Sequence, residues 1–217
     1  SQLVDRGNAT RIGAIVAHAD LADPALGEVL DAYAANAGGL VHGIRQSGAR
    51  LEDASARLLA GAAPQGRYAD PHFLRGLASL GERRLTFDAF LFHFQLEMLA
   101  QLARQAPATT IIVNHTGAPI GYAGAAGPGD AVFDAWAQEL DRVADFPNIM
   151  MKLGGLASIV TGYDGHRRTR PPSSEDFIAE RGAYFRHAIR RLGAERCMFE
   201  SNFPVDSTSI SYPVLWN

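Results

Sequence analysis

Six short runs rich in β-branched and aromatic residues, separated by five segments of helical character, set the tightest limit on how this chain can fold. The runs cover residues 12–18, 40–45, 85–93, 109–115, 148–153 and 196–202, and helices are predicted over 24–37, 71–80, 96–105, 131–146 and 174–192. The boundaries carry local chemistry. Asp70 followed by Pro71 reads as an N-cap and first helical residue, because a side-chain oxygen satisfies a free N–H and proline needs none there. Ser173 or Ser174 is placed to cap the longest helix. The run 109–115 is the cleanest strand, bounded by Pro107 and Gly117.

Near-continuous apolar strands alternating with helices of ten or more residues indicate an α/β fold, a parallel sheet covered by helices. Two architectures fit: an open doubly wound sheet, or a closed (β/α)8 TIM barrel. No GxGxxG or GxxxxGK[ST] follows the first run, so the main signature of nucleotide-binding open sheets is missing. A full barrel has eight strands in about 250 residues, so six runs in 217 residues would be a barrel lacking about two strands. Spacing alone leaves both open. The expected organisation is a single domain, 1–217, truncated at both ends: the chain opens at Ser1 without methionine and stops at Asn217 just after an apolar patch.

The ends of the runs are polar. Residues two apart on a strand share a face, so His18 goes with Val16, Arg45 with Gly43, His93 with Leu91, His115 with Val113 and Ile111, Lys152 with Met150, and Asn202 with Glu200 and Met198. In a barrel the C-terminal strand ends form the floor of the active site. His18, Arg45, His93, His115, Lys152 and Asn202 converging there would make a cationic, proton-handling pocket suited to an anionic or carbonyl-bearing substrate. Arg45 in particular needs an anion if it is buried on an apolar strand. His72 and His187 fall on helices and read as surface residues, and His42 reads as structural.

A net charge of −3, with 47% hydrophobic residues, argues against a nucleic-acid or membrane-surface role, which needs clustered positive charge. The one basic stretch, His166-Arg167-Arg168-Thr169-Arg170, reads as a solvated loop. Cys197, the single cysteine, permits no intrachain disulfide and sits in an apolar run as a small core residue. The expected setting is cytoplasmic, with a small-molecule substrate and a homo-oligomer as the partners.

Several blocks resemble the amidohydrolase-related, lactonase-like hydrolases. Asn114-His115-Thr116-Gly117-Ala118-Pro119 is similar to that family's (N/D)H-x-G-x-P strand end. Gly43-Ile44-Arg45, Phe92-His93-Phe94-Gln95-Leu96, 148–155 and 196–205 resemble further blocks in the same order. The resemblance implies a (β/α)8 barrel whose third to eighth strands are the six runs. It also implies hydrolysis of an ester or lactone of a small carboxylate- or sugar-derived substrate. The alternatives it carries are a metal-dependent decarboxylase of the same superfamily and a non-catalytic barrel homologue that binds ligand only.

In that scheme Arg45 holds a substrate carboxylate, and His115 polarises the carbonyl directly or as a ligand of a divalent metal such as zinc. His93 and Gln95 hydrogen-bond ring oxygens, Lys152 lines the substrate site, and Asn202 positions water. A metal-independent mechanism is equally open. Two departures stand out. The family's first-strand His-x-His pair has no counterpart among the seven histidines and is expected before Ser1, as a closing helix is expected beyond Asn217. Where the family commonly has aspartate in Ser-Asp-(Trp/Phe)-Pro, this chain has Asn202, whose amide cannot act as a general base. Glu200, as a partner of a base inside the barrel, and Asp206 are the carboxylates placed to compensate.

Overall fold

All six strands pair in parallel and in the order in which they occur along the chain. The computed structural model describes residues 12–51, 63–121 and 130–217. The strands are β1 (Ile15–His18), β2 (Val41–Ser47), β3 (Thr86–Phe90), β4 (Ile111–Val113), β5 (Ile149–Leu153) and β6 (Cys197–Phe199). Between them lie α1 (Leu26–Asn36), α2 (Pro71–Glu82), α3 (Met98–Gln105), α4 (Ala131–Val143) and α5 (Ser174–Leu192), and α6 (Tyr212–Trp216) follows β6.

An open doubly wound sheet reverses its strand order at a switch point so that helices cover both faces. Here there is no reversal. Successive right-handed crossovers therefore place every helix on the same side, and the sheet curls into the arc of a (β/α) barrel. Among the described residues β1 and β6 each pair on one side only.

Alternation along the strands sorts the side chains onto two faces. On the helix side, Ile44, Phe87, Ala89, Ile111, Val113, Ile149 and Met151 are fully buried. They join Phe73, Leu77 and Leu80 of α2, Leu99 and Leu102 of α3, Trp136 and Leu140 of α4 and Tyr184 and Ala188 of α5 in one apolar cluster. Each large side chain so buried contributes roughly 1.5–3 kcal/mol. The concave face instead carries Arg45, Asp88, Asn114, Lys152 and Glu200, with Arg45 and Asp88 in register on neighbouring strands.

The helix caps form as their residue types dictate. Asp70 accepts the backbone N–H of His72 at 2.8 Å, and Ser173 with Asp176 closes a capping box at the start of α5. Asp130 accepts from Val132 and Phe133 at the start of α4.

The strands are shorter than the runs that signalled them. β4 stops at Val113 because the backbone turns left-handed at His115 (φ 56°) and Thr116 (φ 53°), ending the ladder. β3 stops at Phe90, and His93–Gln95 form a 3-10 turn in place of strand. β6 stops at Phe199, three residues short of Asn202, which is also left-handed (φ 52°). The sequence 117–129 is rich in glycine and reads as a loop; from 122 onward it lies outside the described residues. Among the described residues no helix is long and apolar enough to cross a membrane.

Candidate active site

At the C-terminal end of the arc, Arg45, Phe90, His115, Asn202 and Phe203 line a cavity of about 390 Å³, with Gly155, Ser158 and Thr161 from the segment after β5. Arg45 comes from β2, Phe90 from the last position of β3, His115 from the turn after β4, and Asn202 from the segment after β6.

His115 arrives there by a route that strand alternation does not foresee. Ile111 and Val113, its neighbours in parity, face the helices. The left-handed backbone at His115 and Thr116 reverses the direction of the side chain and brings the ring onto the concave side. Such a conformation costs a non-glycine residue about 1 kcal/mol or more, and a tight set of bonds holds it. Thr116 Oγ1 donates to the Gly154 carbonyl (2.8 Å) and accepts the Gly154 N–H (3.1 Å), while Trp136 Nε1 donates to the Thr116 carbonyl at 2.7 Å.

Space for the ring is made by two glycines. A Cβ on Gly155, itself at φ +73°, would come within 2.5 Å of the His115 Cβ, and one on Gly154 within 2.4 Å of Glu200 Cγ. No L side chain fits either place.

Glu200 Oε1 receives both the His115 backbone N–H and the ring Nδ1, each at 2.7 Å. Burial pushes the Glu200 carboxyl up, but the hydrogen bonds from the His115 ring and backbone N–H and the charge of Lys152 outweigh it. The net pKa lies below the ordinary carboxylate value. An ionised Glu200 can only accept, so Nδ1 carries the ring proton. On the other side Arg45 Nη2 stands 3.1 Å from His115 Nε2, and a guanidinium can only donate. Both neighbours select the same neutral tautomer, with a lone pair on Nε2. In that tautomer His115 has no proton to give a carbonyl at Nε2, so the direct polarising role expected of it is replaced by that of a proton acceptor. Phe90 walls the pair, with its ring centroid 5.4 Å from the imidazole and 5.4 Å from the Arg45 guanidinium carbon.

Asn202 presents the second half of the site. Its Nδ2 donates to Asp206 Oδ1 at 2.8 Å, and the Ala157 N–H donates to Asp206 Oδ2 at 3.3 Å. Asp206 is 1% exposed. Burial pushes its carboxyl up to about 6, against the opposing pull of Asn202 and the Ala157 N–H. With the amide nitrogen committed to Asp206, the Asn202 carbonyl oxygen is the atom left to accept from a water or substrate hydroxyl. Two carboxylates in one site are thus driven apart, Glu200 down and Asp206 up, an arrangement that separates acid and base roles.

Three expected site residues take other places. Lys152 is ion-paired with Asp88 deeper in the concave face, where Asn114 Nδ2 also donates to Asp88 (3.0 Å). Asp88 is fully buried, and its Oδ1 has no partner among the described residues. His93 shares the helix-side parity of Leu91. It lies 9% exposed with Nδ1 accepting the Ile120 N–H at 3.2 Å, and burial holds its pKa below the ordinary value. It braces the loop after β4 and does not line the cavity.

Gln95 is held by backbone. Its Oε1 accepts from Arg50 N (3.1 Å) and Phe92 N (3.3 Å), and its Nε2 donates to the Gly48 carbonyl (3.0 Å), which leaves no group for ring oxygens. The basic loop is also self-contained where Arg168 pairs with Asp164 and Glu180. Asp88, Gly154 and Gly155 are the residues that the strand-end pattern passed over. A lone acidic residue inside an apolar run was the available signal for the first, and adjacent glycines at a strand end for the other two.

The resemblance implies a divalent metal, which needs several imidazole, thiolate or carboxylate donors around one point. Among the described residues no group of three or more His, Cys, Asp or Glu is placed to hold a metal ion. His115 Nε2, the one imidazole nitrogen facing the cavity, is occupied by the Arg45 cation. The described residues as arranged do not fit a metal.

Comparison with known proteins places this geometry in context. The chain is 31% identical over 203 residues to the uncharacterized protein y4mH of Sinorhizobium fredii, matching 94% of this chain and 60% of that one. It is 27% identical over 143 residues to an L-fucono-1,5-lactonase of Burkholderia multivorans, covering 66% of this chain and 45% of the lactonase. Among solved structures, an amidohydrolase from Burkholderia multivorans with bound zinc superposes with a TM-score of 0.72 at 27% identity, covering 94% of this chain and 63% of its own. The chain therefore spans about three fifths of the length of y4mH and of the zinc-bound amidohydrolase. With a family model described as Amidohydrolase matching residues 6–217, the chain belongs to the amidohydrolase family.

Proposed function

We propose that the protein hydrolyses the cyclic ester of a small carboxylate- or sugar-derived lactone. The observation that carries this reading is the Glu200–His115 pair, whose one unprotonated nitrogen is directed at the cavity (2.7 Å on the carboxylate side). Likeness to the L-fucono-1,5-lactonase supports the lactone over other carbonyl substrates.

In this reading Arg45, the one cationic side chain among the described residues that line the cavity, binds the anionic part of the substrate. The Asn202 carbonyl oxygen, fixed by Asp206 behind it, accepts a hydrogen bond from the attacking water. His115 Nε2 takes the water's proton as the oxygen bonds to the lactone carbonyl carbon. Glu200 holds the opposite ring N–H and stabilises the imidazolium that forms. Collapse of the tetrahedral intermediate breaks the carbon to ring-oxygen bond, and the imidazolium returns its proton to the departing oxygen, giving the open hydroxy acid. Positioned proton transfer of this kind contributes about 10²–10⁴-fold. Asp206 keeps a buried carboxylate 2.8 Å behind the amide at position 202 and so orients the group that accepts from the water.

The test is a proton-release assay on a panel of 1,4- and 1,5-sugar lactones and carboxylate-bearing lactones. Ring opening is expected for at least one, with His115→Gln reducing turnover by about 10²-fold or more and leaving the melting temperature within a few degrees. An intact panel after prolonged incubation with the wild-type protein would end the proposal.

A further inference from the structure

The contact between Arg45 and His115 has a second meaning, which rests on the reading of His115 as the base. A lone pair that already accepts a hydrogen bond from a permanent cation cannot take a proton from water until that cation moves away. Among the described residues no carboxylate is ion-paired with the Arg45 guanidinium, whose other close contact is the Phe90 ring at 5.4 Å. The three side chains share one cavity wall, so a ligand entering the cavity meets the guanidinium and the capped nitrogen together. A carboxylate is a far better acceptor for a guanidinium than a neutral imidazole, because it carries charge and accepts two parallel N–H groups.

We propose that Arg45 is a removable cap on His115 Nε2, which an anionic substrate lifts and a neutral one leaves in place. The cavity then selects carboxylate-bearing lactones over neutral sugar lactones by exposing the base, beyond any gain in binding. Arg45 would be both the anion anchor and the specificity determinant. A simple anchor would make a different pattern: removing it would weaken anionic substrates and leave neutral ones as they were.

Two measurements test the cap. In the wild-type protein with ¹⁵N-labelled histidine, the His115 Nε2 resonance, identified by its loss in His115→Gln, is followed on adding succinate or its neutral analogue succinamide. A shift with saturating succinate and none with succinamide is the expected result. A resonance indifferent to succinate overturns the cap, and this arm requires neither turnover nor a variant at position 45, so it stands even if no lactone is hydrolysed.

The second measurement compares Arg45→Met and Arg45→Lys with wild type on one neutral and one carboxylate-bearing lactone. Uncapping predicts that kcat on the neutral lactone rises in Arg45→Met by about tenfold, the worth of one hydrogen bond from a charged donor. On the anionic lactone kcat/KM falls by at least as much. Arg45→Lys, which keeps a donor cation, gives a smaller rise on the neutral lactone than Arg45→Met. Unchanged or reduced neutral turnover in a folded Arg45→Met protein overturns the cap and leaves Arg45 an anchor.

Discussion

The two faces of the sheet are built on opposite terms. On the helix side Ile44, Phe87, Ile111, Val113, Ile149 and Met151 are interchangeable in kind, each apolar, each fully buried, each touching several others in a single cluster. On the concave side no residue has a substitute. Arg45, Asp88, Asn114, Lys152 and Glu200 each meet one or two named atoms at hydrogen-bond distance. The helix side holds the arc together through area, which adds up gradually. The concave side stores its chemistry in individual contacts, which fail singly.

That contrast is sharpest at Lys152. Replacing it with methionine leaves the Asp88 carboxylate buried without its cation, and a loss of about 3–5 kcal/mol is expected in urea unfolding at pH 7. Adding Asp88→Leu to the same protein should restore most of it; a single variant as stable as wild type would show that the pair is not energetically coupled. The next effect belongs to Asp206. Its folded pKa, about 6, is above the ordinary 3.8, so its contribution to stability is fully present below pH 3.8 and is lost as pH rises through 6. Relative to Asp206→Asn, which mimics the protonated acid, wild type should therefore lose on the order of 2 kcal/mol between pH 4 and pH 7.

Glu200 runs the other way. Its lowered pKa gives stability that is present above 4.5 and falls away at lower pH. Parallel melting curves for wild type, Asp206→Asn and Glu200→Gln across pH 3–8 separate the two, and curves that run in parallel would erase the distinction. The smallest effect is expected on the helix side. Ile111→Val should cost about 0.5–1.5 kcal/mol and leave lactone turnover per folded molecule untouched. A change in kcat there would mean that the two faces are mechanically linked.

Much of the architecture was legible because it follows from short-range rules. α5 occupies 174–192 as expected, since Ser173 caps it and Gly193 ends it, and Asp70–Pro71 marked the start of α2 for the same reason. Strand order was not legible, because spacing says nothing about which edge a strand joins, and the choice between open sheet and barrel arc waited for the pairing.

Within the site, alternation identifies Arg45, Lys152 and His115 as concave, but it groups His115 with Ile111 and Val113, which face the helices; His115 reaches the cavity because it and Thr116 are left-handed. His93 is a strand-end group by alternation, yet β3 ends at Phe90, and Gln95 is singled out only by the family resemblance. Asp88 was passed over because only its ion pair with Lys152, 64 residues away in sequence, explains a carboxylate in that apolar run.

The paired glycines after β5 bear on how this pocket can change. Because His115 and Glu200 occupy the volume where two methyl groups would otherwise sit, the floor of the pocket has no room to be re-cut, and mutation there can only damage it. Val160, Phe203 and Val205, by contrast, line the rim from connecting segments, where a change of bulk displaces no strand. A lineage of such proteins would diversify its substrates by refitting the rim while inheriting the floor unaltered.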